Sequence, residues 1–199
     1  MDRGWEMVRN NIGRISALVQ DLLSYSKERS PDLEKTDPNL LAEEACALFD
    51  LRAREKAITI RRDFDPDIPA IFLDARGIHT CLSNLISNAI DACEIDSKEG
   101  DHVIVVKTFQ DPPWGVVFEV SDNGVGMDEE TKTKVFSSFF STKGSKGTGL
   151  GLLVTSKIVQ EHGGEISFES EPGEGTTFTI SLPERMAIDL DEATNEKSD

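Results

Sequence analysis

The 199-residue sequence is poor in basic residues and contains no long apolar run. Lys and Arg number 21 against 37 Asp and Glu, which gives a formal net charge of -16. Nucleic acids and anionic membrane surfaces attract basic proteins, so this balance argues against both as partners. No segment approaches the roughly 20 apolar residues of a membrane span, and the first residues lack the layout of a secretory signal. We therefore expect no membrane contact by this chain and a cytoplasmic location.

Cysteine is also scarce. Cys46, Cys81 and Cys93 are scattered, form no C-x-x-C pair and lie in helix-like patterns. An odd number of unpaired, dispersed cysteines does not suit a disulfide framework or a zinc site. We interpret all three as reduced, buried side chains, which agrees with a cytosolic protein.

The chain divides into four segments by its residue patterning. Residues 1–30 predict one amphipathic helix with the apolar seam of a coiled coil or helical bundle, although this helix could instead pack on its own domain. Residues 31–38 are polar and predict a linker, residues 39–183 predict a folded domain, and residues 184–199 predict an acidic, disordered tail. The apolar seam consists of Trp5, Val8, Ile12, Ile15, Val19 and Leu22.

The segment 39–183 mixes the periodicities of helices and strands. The predicted helices span residues 39–56, 74–93, 129–135 and 149–162, and the predicted strands span residues 58–62, 70–73, 103–109, 116–120, 165–169 and 176–182. A cluster of turn residues between the third and fourth strands predicts a hairpin. Elements in this mixed order predict an α+β fold, namely a two-layer sandwich of one mixed sheet with helices on one face.

Three oxygen-bearing side chains share one stripe of the predicted helix 74–93. Asn84, Asn88 and Asp91 stand at positions i, i+4 and i+7, so they face the same direction. Hard oxygen ligands with few full charges suit a Mg²⁺ ion that arrives with a polyphosphate. The alternative is an ordinary solvated face of a helix.

Two glycine-containing segments enclose a long, polar connection. In the first, DNGVG at residues 122–126, a carboxylate at a strand end could accept a hydrogen bond from an exocyclic amine, and the glycines would let a flat ring approach. In the second, GTGLG at residues 147–151, the start of a helix offers free N–H groups to phosphate. Its spacing fits neither a P-loop nor a Rossmann fingerprint. The connection, which contains Lys143 and Lys146, predicts a mobile lid.

These segments in this order resemble the catalytic domain of sensor histidine kinases, within the ATPase group that includes gyrase B, MutL and the ninety-kilodalton heat-shock chaperone. The resemblance covers about residues 36–183 and implies the Bergerat-type ATP-binding fold. The first helix resembles the second helix of the family's dimerisation and phosphoacceptor hairpin. The matching segments are residues 84–91 (N box), 122–126 (first glycine box), 136–140 (F box), 147–152 (second glycine box) and 173–178 (closing Gly-Thr segment).

The resemblance implies a protein-histidine kinase that uses ATP and Mg²⁺. Its γ-phosphate would pass to a histidine on the hairpin and then to a response-regulator aspartate, in a parent protein that forms a homodimer. Asp122 would bind the adenine amino group, Asn88 would ligate Mg²⁺, and Asn84 and Lys143 would be the catalytic residues at the metal and phosphates. The other implied nucleotide-binding residues are Asp91, Gly124, Gly126, Phe139, Phe140, Gly147, Thr148, Gly149, Leu150, Gly151 and Thr176.

None of the three histidines fits the acceptor, which in the family precedes an acidic residue on the first hairpin helix. His79, His102 and His162 lie in predicted elements of the catalytic domain, so we expect this chain to lack the acceptor and not to autophosphorylate. Chaperone and mismatch-repair ATPases resemble the chain, but they carry a glutamate base where Asn84 stands, and an amide cannot take a proton from water. A non-catalytic nucleotide-sensing or dimerisation module and a serine kinase of anti-sigma antagonists are further alternatives.

Overall fold

The computed structural model describes residue 5 and residues 30–97, 101–137, 140 and 148–184. Apart from Trp5, the predicted N-terminal seam lies outside the described residues, as does the predicted tail beyond Glu184. In the part of the chain that is described, no helix is both long and apolar enough to cross a membrane.

The described chain forms seven strands and four helices. They are β1 (Glu34–Thr36), α1 (Pro38–Glu55), β2 (Ile58–Phe64), β3 (Ile71–Leu73), α2 (Ala75–Ile95), β4 (His102–Phe109), β5 (Trp114–Asp122), α3 (Glu129–Lys134), α4 (Gly151–Glu161), β6 (Glu165–Glu171) and β7 (Gly175–Pro183). The main sheet has the strand order β2-β4-β5-β7-β6, and β1 pairs separately with β3. Within the main sheet β2 and β4 are parallel and the other neighbours are antiparallel, so the sheet is mixed as predicted.

Aspartates start the two long helices. Asp37 precedes Pro38, and its carboxylate accepts hydrogen bonds from the backbone N–H groups of Asn39 and Leu40 at 2.9 and 3.3 Å. Asp74 accepts one from Gly77 at 2.9 Å, as expected of the predicted N-cap. Both carboxylates satisfy N–H groups that the first turn of a helix leaves without an intrahelical partner.

The core lies between the sheet and the three longer helices. The helix-facing side chains of the central strands are buried, whereas the opposite face carries polar pairs such as Lys107 and Glu119, whose Nζ and Oε1 atoms are 2.7 Å apart. The predicted two-layer α+β sandwich is therefore confirmed. All three cysteines are buried as predicted. Burial raises the pKa of the Cys46 and Cys93 thiols to about 12, which keeps them protonated at neutral pH.

Two local details differ from the sequence prediction. The predicted linker 31–38 contains β1, whose Glu34 and Thr36 pair with Leu73 and Ile71 of β3. The helix predicted from residue 149 begins at Gly151, because Gly149 adopts a left-handed φ of 69° that an α-helix does not contain. The outer boundaries of the four predicted segments stay predictions.

Candidate functional site

A cavity of about 690 Å³ lies between α2, the end of β5 and the beginning of α4. The predicted site residues that line it are Asn84, Asn88, Asp91, Asp122, Gly126, Phe140, Thr148, Gly149, Gly151 and Thr176. Phe139, Lys143 and Gly147 lie outside the described residues. The fold thus brings together one side of α2, two turns and a helix terminus that are far apart in the sequence.

Asp122 occupies one end of the cavity, at the last position of β5 and opposite Thr176 of β7. Only 8% of the residue is exposed, and its Oδ1 accepts a hydrogen bond from the backbone N–H of Gly124 at 2.9 Å. Burial raises the pKa of this carboxyl to about 6, although hydrogen bonds from the Gly124 and Thr176 backbones act in the opposite direction. A carboxylate offers about four acceptor positions, so Asp122 has capacity to receive a ligand N–H group.

Thr176 presents a hydroxyl oxygen beside Asp122. Ser170 Oγ donates to the carbonyl of Gly175 at 2.9 Å, and Ser170 Oγ and Thr176 Oγ1 are also 2.9 Å apart. Because Ser170 has a single hydroxyl proton, that second bond must be donated by Thr176. The Thr176 oxygen thereby keeps its lone pairs for an acceptor role at the cavity wall.

Gly124 is a predicted site residue that is not among the residues lining the cavity. A Cβ atom at this position would lie 2.6 Å from the carbonyl carbon of Ala92 on α2, closer than side chains tolerate. The next residue, Val125, donates its N–H to the Ala92 carbonyl at 3.3 Å. Gly124 therefore allows the turn to pack against α2, and it shapes the site without facing a ligand.

Asn84 connects α2 with the first turn of α4. Its Nδ2 atom donates to the carbonyl of Gly151 at 3.1 Å and to the hydroxyl of Thr155 at 3.3 Å. Thr155, which is fully buried, in turn donates to Gly151 at 2.9 Å. The sequence prediction missed Thr155. The residue could have been found as a hydroxyl-bearing side chain on an otherwise apolar helix face.

Asn88 and Asp91 continue the stripe of Asn84 along the cavity wall, as predicted. The Asn88 amide oxygen is a hard ligand of the kind that Mg²⁺ accepts, so the residues fit a metal that is carried in by phosphates. No group of three or more His, Cys, Asp and Glu able to hold a metal ion occurs among the residues that the structure describes.

Asp91 is ion-paired from outside the cavity by a residue that the sequence prediction missed. Nη2 of Arg52, on α1, lies 2.5 Å from Asp91 Oδ1, and Nη1 donates to Ser87 Oγ at 3.2 Å. No motif surrounds Arg52 in the sequence, so only the packing of α1 on α2 reveals this contact.

The beginning of α4 forms the other end of the cavity. Thr148, Gly149 and Gly151 line it, and no side chain of the described residues caps the helix through a hydrogen bond. Leu150 was predicted to bind the ligand, but it is 1% exposed and packs into the core, which anchors the turn. Exposed N–H groups and the positive end of the helix dipole make this end suited to an anion.

The predicted short helix on the lid is present as α3, and Asp128 caps it by accepting a hydrogen bond from Thr131 N–H at 2.8 Å. The two described phenylalanines that follow have different surroundings. Phe140 lines the cavity, whereas the ring of Phe136 packs edge-on against Phe168 of β6 with centroids 5.9 Å apart. Phe136 is therefore a packing residue that fixes one end of this segment to the sheet.

His162 is buried, and both of its ring nitrogens are engaged. Nε2 accepts a hydrogen bond from the backbone N–H of Asp74 at 3.0 Å, and Nδ1 lies 2.7 Å from the Ile158 carbonyl, to which it donates. The ring joins the end of α4 to the start of α2, which is a structural role.

Comparison with known proteins agrees with this geometry. Residues 73–186 match the family described as histidine kinase-, DNA gyrase B- and HSP90-like ATPase. The chain is 32% identical over 177 residues to signal transduction histidine-protein kinase AtoS of Escherichia coli (strain K12), covering 89% of this chain and 28% of AtoS. It is also 32% identical over 178 residues to sensor histidine kinase ZraS of the same strain, covering 89% of this chain and 37% of ZraS.

Among solved structures, histidine kinase ThkA in complex with response regulator protein TrrA has a TM-score of 0.75 and 29% sequence identity. That alignment covers 92% of this chain and 51% of the ThkA chain. The chain therefore spans only part of the length of the proteins that it matches.

Proposed function

Because the chain belongs to the histidine kinase-, DNA gyrase B- and HSP90-like ATPase family and contains the ATP-binding catalytic domain of sensor histidine kinases, we propose that it transfers the γ-phosphate of Mg²⁺-ATP to a histidine of a dimerisation hairpin. One observation carries the proposal. A single cavity combines a buried carboxylate for a base, an amide-bearing helix face for a metal and a helix start for phosphates.

The adenine lies at the Asp122 end of the cavity. The Asp122 carboxylate accepts the hydrogen bond of the exocyclic amine, and the Thr176 oxygen adds a second acceptor there. Both groups are held by strand pairing between β5 and β7 and by their own hydrogen bonds. Such preorganisation reduces the entropic cost of binding.

The phosphates lie between α2 and the start of α4. Asn88 supplies an oxygen ligand to Mg²⁺, which would neutralise phosphate charge when bound. The N–H groups at the start of α4 bind phosphate oxygens, and Lys143 and Gly147 of the segment outside the described residues add to them.

Transfer to a histidine is favoured over transfer to water by Asn84. Its Nδ2 protons are donated to Gly151 and Thr155, and an amide has no basic site that could deprotonate a water molecule. Asn84 thus positions the phosphate-binding turn. The reaction is then left to a nucleophile that needs no strong base, such as a neutral imidazole.

The acceptor histidine belongs to a hairpin whose second helix corresponds to residues 1–30. The two engaged ring nitrogens of His162 exclude it as an acceptor. In the parent protein the apolar seam of residues 1–30 pairs with the acceptor helix in a cytoplasmic homodimer. A response regulator then receives the phosphoryl group, as the complex of ThkA with TrrA suggests by analogy.

The test is incubation of the chain with γ-labelled Mg²⁺-ATP and a separate hairpin fragment that carries an acceptor histidine. We expect acid-labile, base-stable label on the fragment and none on the chain. Asn88→Ala should reduce this labelling. Thr80→Ala, at an exposed position of the same helix, is the matched control and should label the fragment like the parent chain.

Two results would contradict the proposal. Steady ATP hydrolysis without any fragment, abolished by Asn84→Ala, would identify a water-directed ATPase. Tight ATP binding without transfer to any hairpin would identify a non-catalytic nucleotide-sensing module.

A further inference from the structure

An ion-pair cluster includes one residue of the cavity wall formed by α2. Arg52 of α1 contacts Asp91 at 2.5 Å and Glu94 at 3.3 Å, and Lys56 reaches Glu94 at 3.6 Å. Two cations and two anions therefore balance within this cluster. The whole chain has a net charge of -16, so its composition alone would not predict a cluster with equal numbers of cations and anions.

Asp91 is the member of the cluster that lines the cavity. It follows Asn88 by three positions on α2, so the two side chains are neighbours roughly 5–6 Å apart at their Cβ atoms. A full negative charge at this distance from the metal-phosphate position would repel a nucleotide polyphosphate. The arrangement therefore needs a cation that remains close to Asp91.

Arg52 meets that need by its geometry. One nitrogen of its guanidinium contacts the Asp91 carboxylate, and another donates to Ser87 Oγ, a second residue of the cavity wall. A planar guanidinium holding two groups of one helix fixes their direction as well as their charge. Lys56 cannot replace it, because its contact is to Glu94.

We propose that Arg52 is a positioning residue for polyphosphate binding: it neutralises and orients Asp91, so that the wall beside Asn88 accepts the phosphates of a nucleotide. The proposal rests on the proposed function, because it deepens the role of the same cavity. It predicts that Arg52 affects mainly the binding of charged ligands, and that it does so mainly through Asp91.

A second arginine cluster provides an internal control. Arg62 of β2 contacts Asp50 at 2.8 Å and Glu43 at 3.1 Å, so it also bridges two carboxylates of α1. None of these three residues lines the cavity. Loss of Arg62 should therefore change stability to a similar degree without affecting nucleotide binding.

The experiment is calorimetric titration of the parent chain, Arg52→Met, Arg52→Lys, Arg52→Met/Asp91→Asn and Arg62→Met with Mg²⁺-ATP and with uncharged adenosine. We expect Arg52→Met to weaken Mg²⁺-ATP binding about tenfold at low salt and adenosine binding less than about twofold. The defect should shrink in about 0.5 M salt, because screening reduces repulsion by Asp91. The double variant should recover to within about threefold of the parent, whereas Arg52→Lys should recover only part of the loss, because it restores the charge without the planar guanidinium. Arg62→Met should match the parent for both ligands.

Three outcomes would overturn the inference: unchanged Mg²⁺-ATP binding by Arg52→Met, equal losses for ATP and adenosine, or failure of Asp91→Asn to restore binding. Thermal unfolding of each variant identifies a loss that is due only to misfolding. A parent chain that binds neither ligand would instead refute the proposed function, so the two failures are distinguishable.

Discussion

The two ends of the cavity are built in different ways. The base end is set in the sheet, where Asp122 and Thr176 face each other across paired strands and backbone N–H groups hold the carboxylate. The phosphate end lies between helices, where side chains such as Asn84 and Arg52 connect elements that no backbone ladder joins. We therefore expect the base end to depend on one buried charge, and the phosphate end to depend on a network in which each residue contributes less.

The largest expected effect is at the base end. Asp122→Asn removes an anionic acceptor, and it also places an amide N–H group where the ligand needs an acceptor. Because charge-assisted hydrogen bonds contribute about 1.5–3 kcal/mol, ADP affinity should fall roughly 10- to 100-fold. Calorimetry measures this affinity, and Asp63→Asn, at an exposed position of strand β2, is the control. Parent-like binding by Asp122→Asn would show that the base end is assigned wrongly.

The second largest expected effect is a loss of adenosine affinity at low pH. The pKa of Asp122 is about 6 in the folded chain, so at pH 5 the unliganded chain is mostly protonated at this position. If the ionised form binds adenine, adenosine affinity should fall by up to about tenfold between pH 7 and pH 5. Adenosine is the appropriate probe because it carries no phosphate that titrates there. In Asp122→Asn the affinity should not vary over this range, and an equal slope in both chains would contradict the assignment.

The same carboxyl predicts the sign of a stability change without ligand. Its folded pKa of about 6 exceeds the ordinary value of 3.8, so between these values the folded chain binds more protons than the unfolded chain. Asp122 therefore makes the free energy of unfolding decrease as pH rises through this window and leaves it constant above. Denaturant titrations at several pH values should show this contribution as the difference between the parent chain and Asp122→Asn. A difference that increases with pH would contradict the sign.

At the phosphate end, the substitution Asn88→Ala should change nucleotide affinity only when Mg²⁺ is present. Asn88→Ala should lower Mg²⁺-ADP affinity about fivefold and leave binding in the presence of a chelator unchanged, because one of several oxygen ligands is lost. Thr80→Ala is again the matched control. Equal losses with and without Mg²⁺ would show that Asn88 contacts the nucleotide directly.

The smallest effect on affinity is expected away from both ends. His162→Ala leaves the Asp74 N–H without its buried acceptor, which should lower the free energy of unfolding by about 1–3 kcal/mol. Nucleotide affinity should change less than about twofold, because the cavity residues keep their contacts. Urea unfolding measures the first quantity, and the half-buried His79→Ala of α2 serves as comparison. Parent-like stability would contradict the bridging role of the ring.

The sequence was sufficient for features that depend on local pattern. The spacing of Asn84, Asn88 and Asp91 determines a stripe on any α-helix, and a carboxylate directly after a strand lies at the sheet end. The same reasoning could not find Arg52, because it stands 39 positions before Asp91 in the sequence. Strands β2 and β3 and their turns lie between the two residues, and the periodicity of the sequence does not predict how these elements pack. Nor could it foresee that Leu150 is buried or that Gly124 packs against α2, since the surroundings of a residue in a glycine-rich turn depend on which element packs behind it.

The short pairing of β1 with β3 has a mechanical consequence. Three residue pairs, from Glu34 with Leu73 to Thr36 with Ile71, bring the chain that follows residue 30 next to Asp74, where α2 begins. The backbone ladder between β1 and β3 is thus a direct connection from residue 30 to the beginning of the helix that carries Asn84 and Asn88, and it does not pass through α1 or β2.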